Sequence, residues 1–127
     1  MPPATDPAGA GEDVREAVRA ILATWDAGQE PPDAVVGTAV RQTLGLLARR
    51  APGRSVEVRV PPWGAVQCVA GPRHTRGTPR AVVETDPRTW LLIAAGRADV
   101  AQALEAGQLR ASGERSDLAP YLPLLTA

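Results

Sequence analysis

The sequence predicts one α+β domain, with a mostly antiparallel sheet of about four to five strands covered by helices. Three observations point there. Apolar residues first recur at helical spacing, then switch at residues 56–60 to strict alternation, the spacing of a half-buried strand. The rest of the chain is cut into short segments bounded by capping residues and glycines. A length of 127 residues suits a single domain, able to bury roughly two thirds of the surface its unfolded chain exposes.

Met1 to Gly11 holds Pro, Ala and Gly with one acid, so residues 1–12 read as a disordered tail and 13–127 as the domain. Val14, Ala17, Val18, Ile21, Leu22 and Trp25 then line one helix face, with Asp13 as the expected cap and Gly28 as the stop. A Gln-Glu-Pro-Pro break precedes Asp33, the expected cap of a second helix carrying Val36, Val40, Leu44 and Leu47. Ala51-Pro52-Gly53 ends it.

Val56, Val58 and Val60 alternate with Glu57 and Arg59, a strand with one buried face. Pro61-Pro62-Trp63-Gly64 turns the chain, and Ala65 to Ala70 returns as the second strand of an antiparallel hairpin. Gly71 to Pro79 is a polar loop, and Arg80 to Thr85 a third strand. Asp86-Pro87 starts a helix as cap and first-turn proline, and Gly96 stops it. A short helix over about Asp99–Glu105, closed by Gly107, leads to a last strand at Leu109–Ser112. Ser116 is the expected cap of a terminal helix carrying Leu118, Tyr121, Leu122 and Leu125, kept short or irregular by Pro120 and Pro123.

Composition excludes several functions. Fourteen arginines and no lysine balance fourteen acids, for a net charge of zero. Residues 41–80 carry eight arginines against Glu57 alone, but no nucleic-acid fold signature or interleaved aromatics accompany them, so a nucleic-acid partner is not expected. Ala, Arg, Pro and Gly make up about half the chain while Lys, Asn and Phe are absent, the mark of GC-rich coding. The longest apolar run, Trp90 to Ala95, is far short of a membrane span. The N-terminus has neither a basic nor an apolar leader segment, so a cytoplasmic protein is expected. A single cysteine, Cys68, excludes an internal disulfide, and with a single histidine it argues against a His/Cys metal site.

Two stretches resemble a known family. The run Thr85-Asp86-Pro87-Arg88-Thr89-Trp90-Leu91-Leu92-Ile93-Ala94-Ala95-Gly96, followed by Ala106-Gly107-Gln108-Leu109-Arg110-Ala111-Ser112-Gly113, resembles the sterol carrier protein family. Val56 to Cys68, with the His74-Thr75-Arg76-Gly77-Thr78-Pro79 loop, looks like a bacterial orthologue branch of it. The likeness covers about residues 33–125. It implies a five-stranded sheet and helices around an apolar tunnel that takes sterols, fatty acyl chains or acyl-CoA. By that resemblance, Trp90, Leu91, Ala94, Leu104, Leu109, Leu118, Leu122 and Leu125 would line the cavity.

Each chemistry-bearing residue also admits a plainer role. Arg73, His74 and Arg76, with Arg80, form an acid-free run suited either to an anionic head group or to a solvated loop. Glu57 and Arg59 share a strand face, where they flank a cofactor or join a cross-strand ion pair, with Gln67 as a neighbour. Cys68 reads as a small buried thiol, since a catalytic thiolate needs an accessible, electropositive setting with a base. Trp25 and Trp90 sit on apolar helix faces, whereas Trp63 suits either a membrane or partner contact or packing across the hairpin end. Glu84 and Asp86 stand two residues apart, with Asp86 already a cap. Neither a nucleophile elbow nor a phosphate-binding glycine loop occurs. The expectation is a non-catalytic binder of an apolar or acyl small molecule, without cofactor. The alternative is a protein-interaction module on the same fold, its cavity filled, as a homodimer or with another protein partner.

Overall fold

The computed structural model describes residues 7–71, 81–113 and 118–125. The chain runs through α1 (Pro7–Asp26), α2 (Asp33–Arg50), β1 (Val56–Val60), β2 (Gly64–Cys68), β3 (Ala81–Thr85), α3 (Pro87–Ala94), α4 (Val100–Glu105), β4 (Leu109–Ser112) and a 3₁₀ turn (Ala119–Tyr121). The four strands lie in the order β2-β1-β3-β4. Two of the three ladders are antiparallel, and β1 and β3 run parallel. The architecture is α+β, as expected, with four strands.

Period-2 patterning sorts the sheet into two faces. Val56, Val58, Val60, Cys68, Ala81, Val83 and Leu109 are buried, and they join the buried stripes of α1 and α2 in one core. On the other face Arg59 and Glu57 pair along the same strand at 3.1 Å, and Glu84 lies in register with both Arg59 and Arg110. The expected cross-strand ion pair is therefore an i, i+2 pair on β1: two residues apart, the side chains share a face. Gln67 stands opposite Glu57.

Three helices end alike. After α1, α3 and α4 the glycines Gly28, Gly96 and Gly107 have φ of 76°, 78° and 75°. Each donates its N–H to the carbonyl three residues back, and the next residue donates to the carbonyl five back, as in Gly96 to Ile93 and Arg97 to Leu92. This double bond pattern satisfies carbonyls left over at a helix end and needs a left-handed residue. The starts of α3 and α4 are as clear. Asp86 accepts from the Thr89 N–H at 2.8 Å, and Asp99 accepts from Ala101 at 2.7 Å.

Elsewhere the expected caps are corrected. α1 begins at Pro7, so Asp13 lies inside the helix. Pro32 occupies the N-cap position of α2 without a side-chain bond, and Asp33 is the first helical residue, where its charge still suits the helix dipole. The terminal helix reduces to the single 3₁₀ turn, and its expected cap Ser116 lies outside the described residues. Leu122 precedes Pro123, which pushes a residue away from helical backbone, and it is extended at ψ 152°.

Two further contacts fix the layers. The Trp63 ring lies against α2, with its Cε3 atom 2.6 Å from where a Cβ on Gly37 would stand, so the hairpin turn is seated on the helix. At the other end of the hairpin Val69 has a left-handed φ of 66°. Its carbonyl accepts from the Ser55 hydroxyl at 2.6 Å, and its N–H donates to Ala51. Gly53 passes so close to the Val69 backbone that no side chain fits there. Cys68 and Ala81 both pair with Val56, so the connection from β2 to β3 starts and finishes at the same end of β1.

Candidate functional site

The cavity residues expected from the sequence separate into three groups. Trp90, Leu91, Ala94, Leu109 and Leu118 are buried in the core; Trp90 and Leu118 are each 1% exposed. Trp90 also donates its indole N–H to the buried Thr43 hydroxyl on α2. Leu122 and Leu125 border two different surface grooves. Leu104 is 48% exposed and borders neither of them. α4 has six residues, and the side it turns inward carries Ala103, one position away from Leu104.

The first groove has a volume of about 380 Å³ and runs between the end of α3, α4 and the C-terminal segment. Ile93, Val100, Leu122 and Pro123 give it apolar walls, and Arg97, Asp99 and Gln102 stand at its polar side. The Asp99 carboxylate is already used as the α4 cap. The second groove, of about 340 Å³, lies between α1 and the end of α3 and reaches Leu125. Arg97 borders both grooves, and its guanidinium donates to both Asp26 oxygens at 3.1 and 3.2 Å. Those hydrogen bonds hold the Asp26 carboxyl below its usual range.

A third depression, about 310 Å³, contains Glu84, Asp86 and Arg110. Asp86 is occupied there by the Thr89 N–H and hydroxyl, and the Thr85 hydroxyl donates to Gln108, so these groups build the fold.

The C-terminal segment that borders both grooves is held by backbone acceptors. Arg50, in the last turn of α2, donates to the carbonyls of Tyr121, Pro123 and Leu124 at 3.2, 2.7 and 3.3 Å. Leu124 and Leu125 both donate their N–H groups to the Ala94 carbonyl at 3.0 Å. Sequence reasoning missed Arg50, Arg97 and Thr43. A basic last turn of α2 and an arginine following the stop glycine of α3 were the available signals for the first two.

Cys68 is fully buried, and burial pushes its thiol up to about 11. The expected head-group residues Arg73, His74 and Arg76 lie outside the described residues. Among the described residues, no group of three or more His, Cys, Asp or Glu side chains is placed to hold a metal ion. No described helix is long and apolar enough to cross a membrane.

An α+β layout with one mixed sheet, an acid-capped α3 and a glycine-terminated α4 leading into β4 is consistent with a fold of sterol carrier type. A family model described as bacterial SCP ortholog matches residues 32–124, and the chain belongs to that family. The match begins just before α2, so α1 falls outside it. No curated protein matches the chain.

Proposed function

We propose that this chain is a non-catalytic, cytoplasmic binding protein that takes an apolar or acyl small molecule in the groove between α3, α4 and the C-terminal segment. The observation that carries this reading is the groove itself. Its volume of about 380 Å³ is within the range of small-molecule sites, and Val100, Leu122 and Pro123 supply apolar wall beside a larger polar lining that includes Arg97, Asp99 and Gln102. Membership of the family supports it. Affinity would come from apolar area removed from water, about 25 cal/mol per Å² before ordering costs, with Arg97 near the polar end. The buried, hard-to-ionise Cys68 supports a role without nucleophilic catalysis.

One observation favours a second reading. Trp90, Leu91, Leu109 and Leu118 are all buried in the one core cluster, as in an interaction module whose cavity has closed. Native mass spectrometry of the purified chain, with solvent extraction of whatever is released, separates the two. The carrier reading expects a co-purifying acyl or isoprenoid species that is lost in folded Leu122→Asp. A clean apo mass that also ignores added fatty acids and acyl-CoA overturns it in favour of the interaction module.

A further inference from the structure

The polar side of the first groove is set by an ion pair that reaches in from another element. Arg97, exposed in the turn after α3, borders that groove and donates to both carboxylate oxygens of Asp26. Asp26 is the last residue of α1 and does not itself border the first groove. Asp99, the other charged residue on the lining, accepts from the Ala101 and Gln102 N–H groups. One arginine is thus set against two acids. Arg88 also acts on Asp26, but its guanidinium lies over the Trp25 ring and away from the groove lining. Arg50 is likewise off the lining, turned to the carbonyls of Tyr121, Pro123 and Leu124. Backbone donors are used up as well. The N–H groups of Gly96, Arg97, Ala98 and Leu122 along the groove already donate to backbone carbonyls. What remains is the outer part of a charge-compensated guanidinium and the exposed Gln102 carboxamide, an uncharged group that both donates and accepts.

We infer that Asp26 is a specificity-determining residue of the first groove: by holding Arg97 it makes the groove favour molecules whose polar end is uncharged over those ending in a carboxylate or phosphate. This rests on the reading of that groove as a ligand site. An anion entering there loses hydration and meets a guanidinium whose charge is already offset. An alcohol, ester or amide end matches Gln102 without that loss. The pair is half exposed, with side-chain exposures of 48% for Arg97 and 56% for Asp26, so water and salt screen it and its leverage is a few-fold. α1 lies outside the segment matched by the family model, so the residue that controls Arg97 comes from beyond that segment.

The test titrates the full chain with octanoate and octanol, which share a chain length and differ in charge, and follows amide shifts. Asp26→Asn keeps the size of the side chain and leaves Arg97 uncompensated. It should tighten octanoate by about threefold to fivefold and leave octanol unchanged, with shifts centred on Val100 and Leu122. Thermal unfolding should be nearly unchanged, because the pair is exposed. The gain should vanish in Asp26→Asn/Arg97→Gln, which a merely structural role for Asp26 would not produce. It should also fade in about 1 M salt. The inference is overturned if folded Asp26→Asn binds octanoate like the parent or tightens octanol equally. It is overturned too if the gain survives Arg97→Gln, or if the shifts centre on Val18 and Leu22 in the second groove. Any of these leaves the carrier reading standing, whereas failure of both probes to bind every variant overturns that reading and the inference together.

Discussion

The indole N–H of Trp90 donates to the Thr43 hydroxyl at 2.8 Å, and that hydroxyl itself bonds the α2 carbonyls of Ala39 and Val40 at 2.8 and 3.0 Å. Both side chains are buried, so a polar chain crosses the interior and ties α3 to α2. The bond lets the largest side chain of the core sit inside without an unsatisfied donor.

Thr43→Val keeps the shape and removes the acceptor. It should destabilise the protein by about 1–3 kcal/mol, the cost of a buried unpaired donor. Urea unfolding should show a lower midpoint at unchanged slope, and Thr43→Ser should recover most of the loss.

Arg50→Met removes the donor shared by Tyr121, Pro123 and Leu124 while keeping an apolar stem. Because Arg50 is exposed, only about 1–2 kcal/mol of local stability should go. Hydrogen exchange at the Leu124 and Leu125 amides should accelerate, whereas the Val58 amide in the sheet should exchange as before.

Cys68 makes a prediction with a definite sign. Its thiol has an ordinary value of 9.0, and burial raises it to about 11 in the fold. Below pH 9 both states keep the proton and the group has no effect. Between pH 9 and 11 the unfolded chain releases it first, so stability falls as pH rises. Folding stability of the wild type should therefore drop more steeply over that interval than that of Cys68→Ala, and iodoacetamide should label Cys68 only after unfolding.

Leu118 and Leu104 were expected to play the same part and should behave oppositely. Leu118→Ala opens a cavity in the core and should cost about 2–5 kcal/mol. Leu104→Ser removes an exposed side chain and should change stability by no more than about 0.5 kcal/mol. Thermal unfolding of the two variants checks both.

What could be read from the sequence was local. Asp86-Pro87 and Gly96 delimit α3 through bonds confined to a few neighbouring residues, so the order of residues encodes them directly. Val56, Val58 and Val60 likewise reveal the buried face of β1 by alternation. The misread positions depend on more distant neighbours or on competition between short-range rules. Pro32 displaces Asp33 from the cap, and Leu122, held extended ahead of Pro123, ends the terminal helix after one turn. Leu104 looks like a core residue by type, yet Ala103 holds the inward side of α4. Thr43 looks like an interruption of an apolar stripe until Trp90, 47 residues later, supplies its donor. The grooves are harder still, because Leu125 meets Val18 and Leu22 there from the far end of the sequence.

The C-terminal segment has a consequence for how the protein is made. Leu118, Leu124 and Leu125 close the core, and the acceptors for Arg50 come from residues 121–124. During synthesis every strand and helix α1–α4 leaves the ribosome before those residues exist outside it. Until then the Ala94 carbonyl lacks the Leu124 and Leu125 N–H groups that it accepts. Folding of this domain is thus completed only after residue 125 has emerged.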